Sequence, residues 1–326
     1  MGDWSRRRVL VTGATGIVGS WFVKRLLAEG AYVVALVRDW DPQSELIRSG
    51  DIRKTSVISG HLEDYGTVSR AINDHETDCV FHLGAQTIVG TAHRNPLPTF
   101  EANIRGTYNV LEACRVHSGL VKSVVIASSD KAYGDGDVQP YTEVMPPLGR
   151  HPYDVSKSCT DLLAQSYAHT YELPVLIARC GNIYGGGDLN WSRIVPGTIR
   201  SLIEGQHPVL RSDGSLVRDY LYVKDAAAAY LRLGDAASNG LRGEAFNFGL
   251  ESQVTVLDIT RMIQRLMNRA DLDPIILNNA AGEIRHQSLN SGKARRMLDW
   301  QPQFTLEQGL AETIDWYRSF YGRASQ

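Results

Sequence analysis

The sequence predicts an α/β fold in which a doubly wound parallel sheet carries a smaller, discontinuous C-terminal unit. Two observations lead there. Short Val- and Ile-rich runs alternate with amphipathic stretches over residues 1–180, and a Gly-rich turn directly follows the first run. Strands that alternate with helices pair in parallel and leave helices on both faces. A third observation sets the boundary: from residue 181 the alternation gives way to GNIYGGGDLNW and to fewer regular strands. The predicted division is 1–180 as a nucleotide-binding domain, joined by a return strand near 244–249, with 181–326 mainly a substrate-binding domain.

Taken in order, Val9 to Val11, Tyr32 to Val37, Cys79 to Leu83, Val121 to Ala127 and Val175 to Ala178 read as strands, each bounded by turn residues. Val18 to Glu29, Phe100 to His117 and Val155 to Tyr171 have apolar residues at helical spacing. Past residue 181 the pattern predicts a helix near 194–204, a strand at Phe246 to Phe248, a helix near 256–268 and a last helix from Leu306 to Tyr321.

Composition excludes several classes. Of the 326 residues, 43% are hydrophobic and 21% charged, which is ordinary for a folded globular protein. The 34 Lys and Arg against 36 Asp and Glu leave a formal charge of −2, so no strong field draws the chain to nucleic acid or to an anionic membrane. Cys79, Cys114, Cys159 and Cys180 form no C-x-x-C pair, and the nine histidines show no zinc spacing, so no metal is assigned. Reduced thiols point to the cytoplasm. The opening MGDWSRRR is charged like a secretory leader, but the apolar run after it breaks at Thr12-Gly13, and no run of 18 apolar residues follows.

Val9-Leu10-Val11 runs into Thr12-Gly13-Ala14-Thr15-Gly16-Ile17-Val18-Gly19, a strand, a Gly-x-x-Gly-x-x-Gly turn and a helix. Such a turn brings bare backbone N–H groups at the helix start up to a pyrophosphate, which makes a dinucleotide the expected ligand. A glycine triplet without this context is often only a turn. Asp39 lies 20 residues beyond Gly19, at the end of the second strand, where a carboxylate hydrogen-bonds a ribose and repels a 2′-phosphate. That favours NAD. Arg38 beside it offers a partner for the extra phosphate of NADP.

Two further segments carry chemistry, SSDKAYG at 128–134 and PYDVSKS at 152–158. Tyr153 and Lys157 are four apart and so share a helix face. An ammonium there, with a positive nicotinamide, favours the phenolate of Tyr153 and lowers its pKa from about 10. The phenolate can take the proton of a substrate hydroxyl that Ser129 holds. A lone Y-x-x-x-K is usually surface decoration; the glycine turn and a serine upstream make it a site. The apolar residues Val155, Leu162, Leu163 and Tyr167 fall on more than one face of the same helix, which predicts a partner helix from a second copy.

On these motifs, with FHLGAQ at 81–86, EANIRGT at 101–107, RCGNIYG at 179–185, VRDYLYVKD at 217–225 and LDWQPQFTLEQGL near the end, the chain resembles the extended short-chain dehydrogenase/reductase family, the NAD-dependent sugar-nucleotide epimerases and dehydratases. The resemblance implies a Rossmann domain, a nucleoside diphosphate sugar substrate, and a homodimer joined through helices near 100–117 and 153–171. It also implies that Leu62, Leu83, Gly84 and Ala85 join the glycine turn in holding the cofactor, with His61 standing where the family often has an adenine-contacting Asp. Gln86, Thr87, Asn182, Arg193, Arg218 and Arg285 are implied as substrate contacts, arginine matching phosphate through its planar fork.

Within the family, Asp130-Lys131 after Ser129 is most similar to the CDP-glucose 4,6-dehydratases, as are Gly185 to Asp188 and Arg193 to Pro196, whereas RDYLYV departs from the run expected there. The implied activity is conversion of a nucleoside diphosphate hexose to its 4-keto-6-deoxy derivative, a lyase reaction, with Asp130 as acid and Lys131 as base. A 4-epimerase or reductase on the same scaffold, and a catalytically silent nucleotide-binding scaffold, are the alternatives.

Overall fold

The computed structural model describes residues 2–136, 138–279 and 284–324. Its first part runs β1 (Arg8–Thr12), α1 (Ile17–Ala28), β2 (Tyr32–Val37), α2 (Glu45–Arg48), β3 (Ser56–Ser59), α3 (Tyr65–Asn73), β4 (Cys79–His82), α4 (Val89–Arg94), α5 (Pro96–Phe100), α6 (Gly106–Val116), β5 (Ser123–Ala127), α7 (Pro152–Tyr171) and β6 (Val175–Cys180). The second part adds β7 (Asn182–Tyr184), α8 (Ile194–Ile203), β8 (Val209–Leu210), β9 (Val217–Arg218), β10 (Tyr220–Tyr222), α9 (Val223–Ser238), β11 (Ala245–Phe248), β12 (Val254–Thr255), α10 (Val256–Leu266), β13 (Ile275–Ile276), α11 (Gly292–Leu298) and α12 (Leu306–Ala324).

Seven parallel strands form one sheet in the order β11-β6-β5-β4-β1-β2-β3. This is the Rossmann-type, doubly wound arrangement that the alternation predicts. The central strands read as continuous Val, Ile and Leu because both faces are covered. One apolar layer packs Phe22, Val23 and Leu26 of α1 and Ala226, Tyr230 and Leu233 of α9 on the sheet. The opposite layer packs Val68 and Ile72 of α3, Val110 and Leu111 of α6 and Ala164 and Ala168 of α7. A third apolar cluster joins Ile199 of α8, Ile263 of α10 and Leu310 and Ile314 of α12 over Tyr184, Tyr220 and Tyr222.

The chain order reverses at β1, whose neighbours are β2 on one side and β4 on the other. A crevice opens at such a switch point, beyond the C-terminal ends of the strands. The two loops that leave β1 and β4 meet there.

The stretch read as one helix over 100–117 is interrupted. Glu101–Arg105 forms a π turn between α5 and α6. Its cause is visible at Asn103, whose carbonyl accepts from Thr107 Oγ1 (2.5 Å) and from Thr160 Oγ1 of α7 (3.1 Å), while its side chain reaches out to neighbouring segments. Side-chain hydrogen bonds compete here with the regular ladder. The edge strand β3, SVIS, and the alanine-rich α9 were not predicted; β3 is short and half exposed, so alternation of apolar residues is weak in it.

Candidate active site

A cleft of about 1260 Å³ opens at the switch point and extends to α8 and β9. Its floor begins at the glycine turn. Gly13 has φ +66°, and a Cβ there would lie 2.6 Å from Gly84 Cα. The loops after β1 and β4 therefore touch backbone to backbone, which only glycine permits. A Cβ on Gly19 would sit 2.0 Å from Gly13 O, so the helix start can close on the turn. No side chain caps the N-terminus of α1, and its free N–H groups suit a diphosphate.

Thr15, Gly16, Ile17 and Val18 line this end of the cleft, with Leu83, Gly84 and Ala85 opposite. Arg38, Asp39 and Leu62 line the adjoining wall. Arg38 Nε donates to Asp39 Oδ2 at 2.6 Å, so this guanidinium and this carboxylate are partners of one another. These residues fit a dinucleotide. His61 does not join them: it is exposed and outside the cleft, while Gly60, Leu62 and Glu63 around it line the wall.

The loop after β4 is fixed from beneath by buried polar groups. Thr12 Oγ1 accepts from Gly84 N (3.0 Å) and is hydrogen-bonded to His82 Nδ1 (2.9 Å), whose Nε2 meets Thr107 Oγ1 (3.1 Å). Burial, and then Lys157, bring His82 down to about 3, so the imidazole is neutral. Asn103 grips the backbone of Gln86 twice, accepting from its N at 2.7 Å and donating to its O at 3.0 Å. The Gln86 side chain then closes on the backbone of Ile88. Gln86 thus lies outside the cleft lining, and Thr87 and Ile88 line it instead.

Ser129, Asp130, Lys131, Tyr153 and Lys157 all line the same cleft. Ser129 caps the short 3-10 turn Asp130–Tyr133, accepting from Lys131 N at 3.2 Å and donating to Asp130 Oδ1 at 2.9 Å. The turn is seated on α7, since Ser158 Oγ donates to Ala132 O (2.9 Å). Asp130 is buried, and its second oxygen, Oδ2, has no hydrogen-bond partner among the described residues. Burial raises its pKa, against the pull of Lys131 and of the Ser129 hydrogen bond. A carboxyl so placed holds its proton more tightly than usual.

Pro152 opens α7, the helix that carries Tyr153 and Lys157. Lys157 Nζ donates to Ala127 O at 2.7 Å, and burial brings the amine down to about 8. The expected lowering of Tyr153 is not produced by the chain itself. Burial pushes the phenol up to about 12, and the leading opposing charge is Arg193 rather than Lys157. The reason is that desolvation in a buried site outweighs a single cation whose Nζ is directed to a carbonyl.

At the far end Asn182, Arg193 and Arg218 line the cleft. Arg193 spans Asp188 (3.0 Å) and Thr87 Oγ1 (3.1 Å), tying the loop after β7 to the loop after β4. Arg218 is buried and donates to the carbonyl of Ile284 at 2.7 Å. Arg285 is exposed and not part of the lining; its carbonyl accepts from Val217 N, an arrangement that leaves its side chain on the outside. Sequence reasoning missed Asp154, His93 and His151, which share the lining near Lys131. Asp154 is buried, and burial raises its pKa against the pull of Lys131 and His151. Among the described residues no cluster of three His, Cys, Asp or Glu side chains could hold a metal ion, and no helix is long and apolar enough to cross a membrane.

Comparison with known proteins decides the family. The model of the NAD dependent epimerase/dehydratase family matches residues 9–249. The chain belongs to that family. It is 27% identical to a CDP-glucose 4,6-dehydratase of Salmonella typhimurium, over 97% of this chain and 92% of the relative. The solved dTDP-glucose 4,6-dehydratase of Streptomyces venezuelae, with NAD bound, superposes with a TM-score of 0.87 at 28% identity, over 97% of this chain and 98% of that one. The UDP-glucose 4-epimerase of Thermotoga maritima, solved with UDP-glucose, gives a TM-score of 0.88 at 28% identity, over 96% and 99%. Dehydratases and epimerases of nucleotide sugars are thus equally near in fold to this enzyme of the family.

Proposed function

We propose that this enzyme is a nucleoside diphosphate hexose 4,6-dehydratase. The observation that carries the reading is Asp130: a buried carboxyl with an unpartnered oxygen, beside Lys131 and in one cleft with Ser129 and Tyr153. An epimerase needs only the serine, tyrosine and lysine; an acid with a raised proton affinity next to an amine is what water elimination requires.

Asn182 and Arg218 hold the diphosphate and Arg193 the nucleotide side, with Thr87 at the sugar. Gly13 to Gly19 hold the cofactor pyrophosphate and Asp39 its ribose. NAD, held there, would supply the hydride acceptor for C4 and the hydride donor for C6, and its positive ring would favour ionisation of the phenol. Ser129 holds the C4 hydroxyl, and Tyr153 removes its proton, leaving a ketone at C4. The ketone acidifies the C5 hydrogen, which Lys131 takes as a proton. The electron pair of that C–H bond forms C5=C6 while the C6–O bond breaks, and Asp130 delivers its proton to the departing oxygen, so water leaves. Lys131 then returns a proton to C5 as C6 is reduced. The proton left on Tyr153 passes through solvent and one returns to Asp130, which resets the site, so water is the only net loss.

The preference for NAD over NADP is supported by Asp39 at the end of the second strand and by Arg38 being bound to it. Tyr108, Val116, Leu162 and Tyr171, on α6 and α7, are exposed apolar residues, and we infer a homodimer through these two helices. The four free cysteines suit a reducing, cytoplasmic setting.

The test is to incubate the NAD-loaded protein with CDP-, dTDP-, UDP- and GDP-glucose and read the alkali-induced ultraviolet absorbance of a 4-keto-6-deoxy sugar. One nucleotide should give it. The second reading, a 4-epimerase, is favoured by the Thermotoga maritima likeness; it predicts no chromophore and an interconverted hexose by proton NMR. Light scattering at micromolar protein tests the dimer, and Leu162→Glu should give the monomer mass.

A further inference from the structure

Lys131 of the Ser-Asp-Lys turn reaches the C-terminal half of the chain through the amide of Gln287. Lys131 Nζ donates to Gln287 Oε1 at 2.6 Å, across 156 residues of sequence. Gln287 is fully buried. Its backbone is fixed on both sides: Gln287 N donates to Val217 O (3.1 Å), Tyr141 N donates to Ser288 O (2.9 Å), and Leu289 N donates to Asp219 Oδ2 (3.3 Å). Yet its own amide nitrogen, Nε2, is buried with no acceptor among the described residues.

A buried primary amide with no acceptor for its N–H groups is less favourable than an apolar side chain of the same size. Among the described residues, the side-chain hydrogen bond that Gln287 makes is with the Lys131 amine, so its polarity serves that bond. The chemistry of the turn gives it a purpose. Asp130 must carry a proton and Lys131 must lack one, whereas a hydrogen-bonded ion pair between these neighbours would leave both in the wrong state. The carboxyl is instead held by Ser129 at Oδ1, with Oδ2 left open. The amine is turned to a neutral acceptor, which bonds it in either protonation state.

We propose that Gln287 is the positioning residue for Lys131, its carbonyl fixing the amine where it can take the C5 proton while keeping it from the Asp130 carboxyl. This rests on the dehydratase reading.

The experiment uses the NAD-loaded enzyme with CDP-glucose and dTDP-glucose as probes, in single turnover. The rise of reduced-nicotinamide absorbance reports C4 oxidation, and its decay reports the later steps. Gln287→Leu should leave the rise within about twofold of the parent while slowing the decay and the release of 4-keto-6-deoxy product at least tenfold. Gln287→Glu, which keeps size and shape, should slow the decay in the same selective way. In a Lys131→Met background Gln287→Leu should add less than about twofold, since both changes remove the same function. Equal slowing of rise and decay, full additivity with Lys131→Met, or an unchanged decay in both variants would overturn the proposal. The dehydratase reading fails separately, through a Lys131→Met enzyme that turns over like the parent. A parent that gives no 4-keto product from any of CDP-, dTDP-, UDP- and GDP-glucose overturns both.

Discussion

Asp161 and Arg179 form a buried, two-point ion pair directly behind the Asp130–Tyr133 turn. Arg179 Nε and Nη2 donate to the two carboxylate oxygens at 2.7 and 2.8 Å, and Nη1 donates to Tyr133 OH at 2.9 Å. Tyr133 closes the turn that begins at Asp130 and passes its own proton to Asn247 Oδ1 of β11 at 2.7 Å. The pair thus links α7, β6 and the turn into one rigid support, and it is placed where side-chain position matters most to chemistry.

Removing one partner leaves an uncompensated charge in the core. Asp161→Leu or Arg179→Met should each cost about 3 to 5 kcal/mol of stability, measured by urea unfolding. The double variant should lose clearly less than the sum, because neither charge is then left alone. Additive losses would mean that the two side chains act independently.

His82 supplies a pH dependence of stability. Its folded value is about 3 against an ordinary 6.5, because burial disfavours the charged ring. A depressed folded value means that the unfolded chain binds the proton first, so stability is complete above about 6.5 and is lost as pH falls toward 3. Between pH 7 and pH 5 the parent should lose roughly 2 kcal/mol that a His82→Asn variant does not lose. Paired denaturant titrations at the two pH values check this, and parallel losses would contradict it.

What the sequence made legible was local. The turn at Gly13, the alternating strands and the Tyr153–Lys157 spacing depend on residues within a few positions of one another, and each appears where expected. Contacts between distant segments were not legible. Nothing in the residues around Gln287 announces that its carbonyl meets Lys131, and nothing in RCGNIYG distinguishes Arg179 from a surface arginine. Gln86 misled for a related reason: its motif points at the sugar, but Asn103, from a π turn that helical periodicity does not predict, fixes its backbone so that the side chain closes on Ile88. Arg285 and His61 misled because a matched motif says which loop a residue is on and not which side of it faces the cleft.

Asp39 should set the choice of cofactor. Its carboxylate lies at the end of β2 on the cleft wall, and Arg38 is bound to it. Asp39→Ser removes the negative charge and frees the guanidinium for a 2′-phosphate. The ratio of NADP to NAD affinity should rise on the order of tenfold, read by fluorescence titration of the two reduced cofactors. An unchanged ratio would place the ribose contact elsewhere, with Glu63 on the same wall the next candidate.

The last prediction separates oxidation from elimination. On the dehydratase reading, Tyr153 makes the first proton transfer and Asp130 acts only once C4 is a ketone. Asp130→Asn keeps the shape of the side chain and the Ser129 contact but removes the donated proton. Oxidation at C4 should then proceed while loss of water slows by about 10²- to 10⁴-fold, the usual cost of a missing positioned acid. Reduced nicotinamide should accumulate in the presence of the nucleotide hexose, with no 6-deoxy product by NMR. Tyr153→Phe is the control and should show neither signal. The buried phenol, pushed up to about 12 in the chain alone, also predicts that cofactor-free protein gives no Tyr153-dependent tyrosinate absorbance below about pH 10, measured as the difference between parent and Tyr153→Phe. An Asp130→Asn enzyme that completes the reaction at the parent's rate would remove the acid from the mechanism and leave the epimerase reading in its place.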